Sequence, residues 1–265
     1  MYWSYLSKSV SIKTVSENQK SGVFEIEGLF AGYGLTIANT LRRVLLSSLP
    51  GAAITQIKIK GVSHEFSTLP GIKEDMVELS LNFKKIRFHM NVDEPQTLLL
   101  KVKGIKDVTA SDIKINSNII ILNPSETIAT ITDKHAELDI EIKVERGLGY
   151  SAVESRKEEE KLAIGTIAID AFFSPVSNVS YSIEDMRVGD RTNYNRLRLE
   201  IETDGTISPS SALRKASNIL NDHFKTISEV AVQEFELLSF PKVGTKAEKE
   251  EKTKSKKKAS GKKSE

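Results

Sequence analysis

The stretch GLTIANTLRRVLLSSLPG, residues 34–51, is the most informative part of this chain. On a helical wheel its small and apolar residues gather on one side: Gly34, Ala38, Leu41, Leu45 and Ser48, flanked by Ile37, Val44 and Leu49. The pair Pro50-Gly51 then ends the pattern, as proline and glycine do after a helix C-terminus. The stretch therefore predicts an amphipathic helix with one face on a core.

Two adjacent arginines lie away from that apolar side. Relative to Leu41, Arg42 is turned by about 100° and Arg43 by about 200°, so Arg43 points away from the core. A solvated helix face explains this placement. So does a contact in which the guanidinium group donates to a partner's carboxylates or carbonyls, with Leu35 and Leu46 as apolar neighbours.

A second helix is predicted to begin at Ser208-Pro209, an N-cap residue followed by proline at the first helical position. Apolar residues then recur every three or four positions: Leu213, Ala216, Leu220, Phe224, Ile227, Ala231, Phe235 and Leu238. The stripe predicts about seven helical turns. Packing on the chain's own sheet and pairing with a second copy both account for it.

Most of the remaining sequence alternates between apolar and polar residues, which is typical of half-buried strands. ELDIEIKVE and NRLRLEIET are the clearest examples, and VFEIEGL, QIKIK and LLLKVK are shorter ones. Strands of this kind around two helices predict an α+β fold with antiparallel sheets. We expect a turn at residues 146–150 and a solvated loop at residues 154–161.

Composition restricts the class of protein. The 265 residues allow one or two domains, and 39% hydrophobic and 28% charged residues are ordinary for a globular protein. No apolar run is long enough to span a membrane, and the first residues do not resemble a secretion signal. Cysteine is absent, which excludes disulfides and thiolate chemistry. We therefore expect a cytoplasmic protein without a membrane partner.

The charge is unevenly distributed. Residues 242–265 contain ten Lys and four Glu, a net charge of +6, and almost no large apolar residue. Such a segment cannot offset its ordering entropy by burial, so we expect a disordered tail. It either touches DNA weakly and without sequence preference or only keeps the chain soluble. Residues 28–64 contain no Asp or Glu, so this segment is expected to attract an acidic partner surface.

Motifs of known enzymes are missing. Gly32-Tyr33-Gly34 precedes a helix but lacks the third glycine and the later acidic residue of a dinucleotide site. Glu74-Asp75 has no third ligand nearby and is expected at a helix N-terminus. The four histidines are too scattered to suggest a metal site: His64, His89, His135 and His223. We therefore expect no catalytic residue and no bound metal or cofactor.

The residues that predict these elements also resemble a known family. GLTIANTLRRVLLSSLPG and its continuation to residue 84, VERGLGY, and IDAFFSPVSNVSYSIEDMRVGDRT with its continuation are similar to bacterial RNA polymerase alpha subunits. The resemblance extends to about residue 238. It implies a dimerisation subdomain from residues 1–52 and 175–241, an inserted β-rich subdomain at 53–174 and a tail at 242–265. It also makes MVELSLNF a short helix, although this segment alternates like a strand.

The resemblance further implies partners and contact residues. Two copies would pair through the two long helices, with these side chains in the interface: Leu41, Leu45, Leu49, Leu213, Ala216, Leu220, Phe224, Ile227 and Ala231. The beta subunit would contact another set: Arg42, Arg43, Leu46, His64, Glu65, Phe66, Ser67 and Gly71. The second copy would bind beta-prime, and omega and sigma would join the full complex. Magnesium would belong to the catalytic partner subunits, and DNA would be reached indirectly.

One departure from the family pattern is visible. Most family members continue into a helical carboxy-terminal domain that binds promoter DNA, whereas this sequence ends in the lysine-rich tail. Either the lineage lacks that domain or the chain is truncated. Two other classes are alternatives: a free-standing dimeric DNA-binding protein that uses its tail, and a small-molecule enzyme. The second would need a convergent polar site that the sequence does not display.

Overall fold

The computed structural model describes residues 10–62, 64–157 and 165–230, the side chain of Lys157 excepted. The chain divides into two units, Met1–Phe224 and Lys225–Glu265. Of the second unit only residues 225–230 are described, and they comprise the end of a helix and a turn. Within the described residues the first unit contains four helices: α1 (Tyr33–Ser47), α2 (Met76–Lys85), α3 (Val153–Lys157) and most of α4 (Pro209–Ser228).

Two antiparallel sheets form the framework, which confirms the predicted α+β class. The smaller sheet has the order β1-β2-β15-β14: β1 (Ser11–Glu17), β2 (Ser21–Leu29), β15 (Arg191–Thr203) and β14 (Val176–Val188). The larger has the order β7-β5-β10-β3-β4-β8, with β12 also paired to β3: β7 (Ile113–Lys114), β5 (Gln96–Lys103), β10 (Glu137–Leu148), β3 (Pro50–Ile59), β4 (Phe88–Met90), β8 (Ile119–Ile121) and β12 (Thr166–Ala168). Two short ribbons complete the fold: β11 (Tyr150–Ser151) with β13 (Ala171–Phe172), and β6 (Lys106–Thr109) with β9 (Thr127–Ile131).

The smaller sheet, together with α1 and α4, forms the four-stranded lobe with its own core. The alternation in β2 and β15 places Phe24 and Leu199 opposite each other on the inner face. Helix α1 covers that face with the residues that the wheel predicted: Gly34, Ala38, Leu41 and Leu45. The same alternation leaves charged residues such as Glu25 and Arg198 on the outer face, where they pair at 3.5 Å.

The larger sheet and α2 form the seven-stranded lobe around a second core. Strand β10 contributes its predicted apolar face: Leu138, Ile140, Ile142 and Val144. Helix α2 confirms the helical interpretation of MVELSLNF, because Met76, Leu79 and Phe83 are buried on one side of it. Asp75 caps this helix by accepting a hydrogen bond of 2.7 Å from Glu78 N, as expected for Glu74-Asp75.

Three local predictions were wrong. The turn expected at residues 146–150 is confined to Gly149 (φ 61°), because β10 continues through Gly147 to Leu148. The solvated loop expected from residue 154 begins instead as α3, where Arg156 donates hydrogen bonds to the carbonyl groups of Thr55 and Ile169. The remainder of that loop lies outside the described residues.

The third correction concerns the length of α4. The helix begins at Pro209 as predicted but ends at Ser228, and a turn follows, so the regular stripe does not run unbroken to residue 238. The predictions for Ala231, for the rest of the stripe and for the tail lie outside the described residues. Among the helices of the described ranges, none is long and apolar enough to cross a membrane.

Candidate partner-binding surfaces

Helix α1 presents a basic surface that the rest of the lobe holds in place. Gly32 precedes the helix with φ 85°, a left-handed conformation that favours glycine, and its N–H donates to Asn195 Oδ1 at 2.9 Å. Tyr181 on β14 donates from its hydroxyl to Asn39 Oδ1 at 2.8 Å. A buried face on one side and these hydrogen bonds at the flank fix the rotation of α1 about its axis.

Arg43 is exposed on α1, as the wheel predicted, and Arg42, which the wheel placed at the edge of the buried side, is exposed as well. Neither forms an ion pair with any residue of the described ranges. Leu35 beside them is 54% exposed and Leu46 is half-buried. Because no carboxylate of the described residues pairs with the two guanidinium groups, we expect their hydrogen-bond donors to be available to an acidic or carbonyl-rich partner.

The loop that contains residues 64–71 forms a second surface, on the seven-stranded lobe. Phe66 is 77% exposed, and His64 and Glu65 are exposed beside it. Ser67 Oγ lies 3.2 Å from His64 Nδ1, which closes the tip of the loop. A protruding phenyl ring with polar neighbours is a typical anchor of a protein interface.

Gly71 fixes the base of this loop. Its φ of 78° is left-handed, and a Cβ there would lie 2.8 Å from Ala136 Cβ and 2.9 Å from Asp133 Cβ. Its carbonyl accepts a hydrogen bond of 2.9 Å from Thr132 N. Gly71 is therefore required for the shape of the loop.

An open groove of about 330 Å³ borders the loop, and of its lining residues only Glu65 and Phe66 were predicted as contact residues from the sequence. Phe66 lines one side, and Val77 of α2, 44% exposed, lies on another. Lys84 and Asp170 close it with an ion pair of 2.8 Å, and this hydrogen bond holds the pKa of Asp170 below its usual range. Leu81 is also exposed on the outward face of α2, which the strand-like alternation of this segment did not predict.

The structure does not join the two surfaces predicted for the beta subunit. Arg43 lies on α1 of the four-stranded lobe, and Phe66 lies in the loop that follows β3 of the seven-stranded lobe. One partner that contacts both surfaces must therefore engage both lobes.

The residues predicted for pairing of two copies divide into two groups. The following side chains are buried in the core of the four-stranded lobe itself: Leu41, Leu45, Leu49, Leu213 and Ala216. Leu220 is half-buried, whereas Phe224 and Ile227 are 61% and 65% exposed. The apolar surface that α4 leaves exposed is therefore on its later half. Among the described residues, no group of His, Asp or Glu has the arrangement of a metal site.

The comparisons with known proteins agree with one another. Residues 57–174 match the family model described as RNA polymerase Rpb3/RpoA insert domain. The DNA-directed RNA polymerase subunit alpha of Symbiobacterium thermophilum is 47% identical over 216 residues, which cover 81% of this chain and 68% of that protein. The subunits of the same name from Roseiflexus sp. and Syntrophomonas wolfei are 48% and 46% identical, and the alignments cover 67% and 70% of their lengths.

Proposed function

Because the chain belongs to the family of bacterial DNA-directed RNA polymerase alpha subunits, we propose that it is the assembly scaffold of that enzyme. Membership of the family makes it part of a nucleotidyltransferase complex. In the proposed assembly two copies pair, and the pair binds the beta and beta-prime subunits, which omega and sigma join. The chain supplies no catalytic group, and magnesium and nucleoside triphosphates bind to the partner subunits. The complex acts in the cytoplasm and reaches DNA through those partners.

One observation carries the proposal for the beta subunit: two consecutive arginines that form no ion pair with any described residue are exposed on a helix whose buried face holds it in place. Arg43 is exposed, and α1 is fixed by its buried face and by Tyr181. A fixed helix backbone needs little ordering on binding, and arginine is enriched among residues that dominate interface energies. The exposed Phe66 loop on the other lobe gives the same partner a second contact.

The pairing of two copies is supported by the second half of α4. Helix α4 contributes Leu213 and Ala216 to the core of its own lobe, and then leaves Phe224 61% exposed. Phe224 and Leu220 are four residues apart and therefore lie on the same face of the helix. An exposed phenylalanine that continues a buried stripe is an anchor that a second copy can cover.

The experiment for the beta contact is Arg43→Ala. The side chain is exposed, so the free energy of unfolding changes by less than about 0.5 kcal/mol. At the interface, the loss of a charge-assisted contact weakens binding by about 2 kcal/mol, roughly thirtyfold in Kd. Titration of the purified beta subunit against immobilised wild type and variant measures this. Arg214→Ala, which removes an exposed arginine of α4, is the matched control.

The control must bind the beta subunit as the wild type does, which shows that the loss of any exposed helical arginine is not enough. Equal Kd values for Arg43→Ala and the wild type would refute the role of Arg43. Circular dichroism melting of both variants excludes unfolding as the cause of a loss.

A further inference from the structure

The junction of the two lobes is built around one buried phenylalanine. The main chain passes between the lobes twice, from α1 into β3 and from β13 into β14. At both passages, the sequence between the residues of the two large cores contributes to a third, small cluster of Ala53, Ala171 and Phe173. Phe173 is only 7% exposed, and its N–H donates to the carbonyl of Gly149 at 2.8 Å. The segment from β13 into β14 is therefore held by a hydrogen bond to the residue that follows β10.

Two glycines leave the space in which Phe173 packs. Gly51 on β3 and Gly147 on β10 are register partners in the larger sheet. A Cβ on Gly51 would lie 1.8 Å from the carbonyl oxygen of Phe173, and a Cβ on Gly147 would lie 2.7 Å from Cε2 of the Phe173 ring. Neither glycine has the left-handed φ that by itself favours glycine. Both positions require glycine because the backbone of Phe173 packs against Gly51 and its ring packs against Gly147.

The crossing continues tightly into the four-stranded lobe. Ser174 and Pro175 are both buried, and Ser174 Oγ donates to the carbonyl of Val176 at 3.2 Å, where β14 begins. Pro175 also approaches Gly51, with its Cδ 3.6 Å from the position of an added Cβ. Because the segment that joins the lobes packs directly against two glycines, few relative orientations of the lobes avoid a clash.

We propose that Gly51, Gly147 and Phe173 are positioning residues, which set the angle between the lobes and thereby the spacing of the Arg43 and Phe66 surfaces. This inference rests on the proposed function, because one partner must engage both surfaces. When two contacts are linked rigidly at the right spacing, the second forms at a high effective concentration. A change of angle at the junction moves the distant surfaces and removes that advantage, although each surface remains intact.

The angle itself is measurable without any partner, because the chain contains no cysteine. Spin labels on Ser182→Cys of β14 and Lys114→Cys of β7, both exposed, report the distance between the lobes. Dilution with excess unlabelled chain restricts the measurement to one molecule. Gly51→Ala and Gly147→Ala are expected to shift or broaden the distance distribution. Gly22→Ala, whose Cβ would meet Pro209 Cβ at 2.6 Å within one lobe, is the matched control and leaves it unchanged.

Gly51→Ala must displace a backbone carbonyl and is the harsher change, whereas Gly147→Ala meets ring atoms. If Gly51→Ala does not fold, Gly147→Ala decides the case. An unchanged distance distribution in folded Gly147→Ala would overturn the proposal. A shift in Gly22→Ala as large as in Gly147→Ala would overturn it as well, because the effect would then be one of general destabilisation.

Binding of the beta subunit tests the consequence. Gly147→Ala is expected to weaken binding about tenfold in a chain that carries both surfaces. In the Phe66→Ala background only one contact is left, and there Gly147→Ala is expected to change Kd by less than about twofold. An equal loss in both backgrounds would mean a purely structural effect and would reject positioning. If neither Arg43→Ala nor Phe66→Ala alters binding, the proposed function fails, while the distance measurement still decides the junction.

Discussion

Individual polar residues obtain their roles from partners that are remote in the sequence. Arg156 appeared within a run of charges that predicted a solvated loop, yet its guanidinium group bonds to the carbonyls of Thr55, 101 residues away, and of Ile169. Asp170 accepts from Lys84 and from Val153 N, at 2.8 and 3.0 Å. No local pattern identifies such partners, because they depend on which strands pair. Asp75, whose acceptor role is local, was predicted correctly.

The ion pair of Asp170 makes a prediction about pH. Its hydrogen bond with Lys84 holds the pKa of Asp170 below the ordinary value of 3.8 in the folded state. A carboxyl group with a lowered folded pKa stabilises the fold fully above the ordinary pKa, and this contribution is lost as pH falls through the folded value.

Asp170→Asn should therefore lower the free energy of unfolding by about 0.5–1 kcal/mol at neutral pH. Urea unfolding measures it, and the difference from wild type should narrow as pH falls below 3.8. Asp107→Asn, an exposed carboxylate, is the control. A difference that stays constant with pH would contradict the assignment.

Elements with a regular apolar period were predictable, because burial of one face imposes that period on the sequence. The buried face of α1 and the inner face of β10 were identified residue by residue. The stripe of α4 was identified too, but the same pattern arises whether the covering surface is internal or belongs to another molecule. The sequence therefore left open that Leu213 lies in the core while Phe224, three turns later, is exposed. The candidate contact loop has no period, and its groove emerges only when α2, α3 and β12 come together.

The roles of the first and second halves of α4 can be distinguished by experiment. Phe224→Asp places a charge on an exposed position, so the lone subunit should unfold at nearly the wild-type urea concentration. In a pair of copies the same charge is buried without a partner, which weakens pairing by several kcal/mol. Leu213→Asp, in the core of the lobe, should instead destabilise the subunit itself. Light scattering and circular dichroism distinguish the outcomes. A folded Phe224→Asp chain that still pairs at micromolar concentration would exclude this part of α4 from the interface.

At the scale of the whole molecule, two cores of different construction share one chain. The core of the seven-stranded lobe is formed by residues from Ile54 to Ile169, which are continuous in sequence. The core of the four-stranded lobe is discontinuous, because β1, β2 and α1 precede this segment and β14, β15 and α4 follow it. The sequence alone indicated strands and helices in this order. Only the family resemblance divided them into an outer part and an inserted part, since period-two strands look alike in both sheets.

Separate cores predict separate responses to cavities. Phe83 is fully buried in the seven-stranded lobe, and Phe83→Ala should cost about 3–5 kcal/mol. Leu199 is equally buried in the four-stranded lobe, and Leu199→Ala should cost about 2–5 kcal/mol.

The small Phe173 cluster joins the lobes through far fewer apolar side chains than either core contains. Each cavity should therefore raise hydrogen exchange mainly within its own lobe, because local opening then costs less than global unfolding. Mass spectrometry after exchange resolves this by peptide, with β10 and β15 as reporters of the two lobes. If Phe83→Ala accelerates exchange in β15 as much as in β10, the lobes unfold as one cooperative unit. In that case the junction transmits stability as well as orientation, and substitutions at Gly51 would have to be interpreted through both effects.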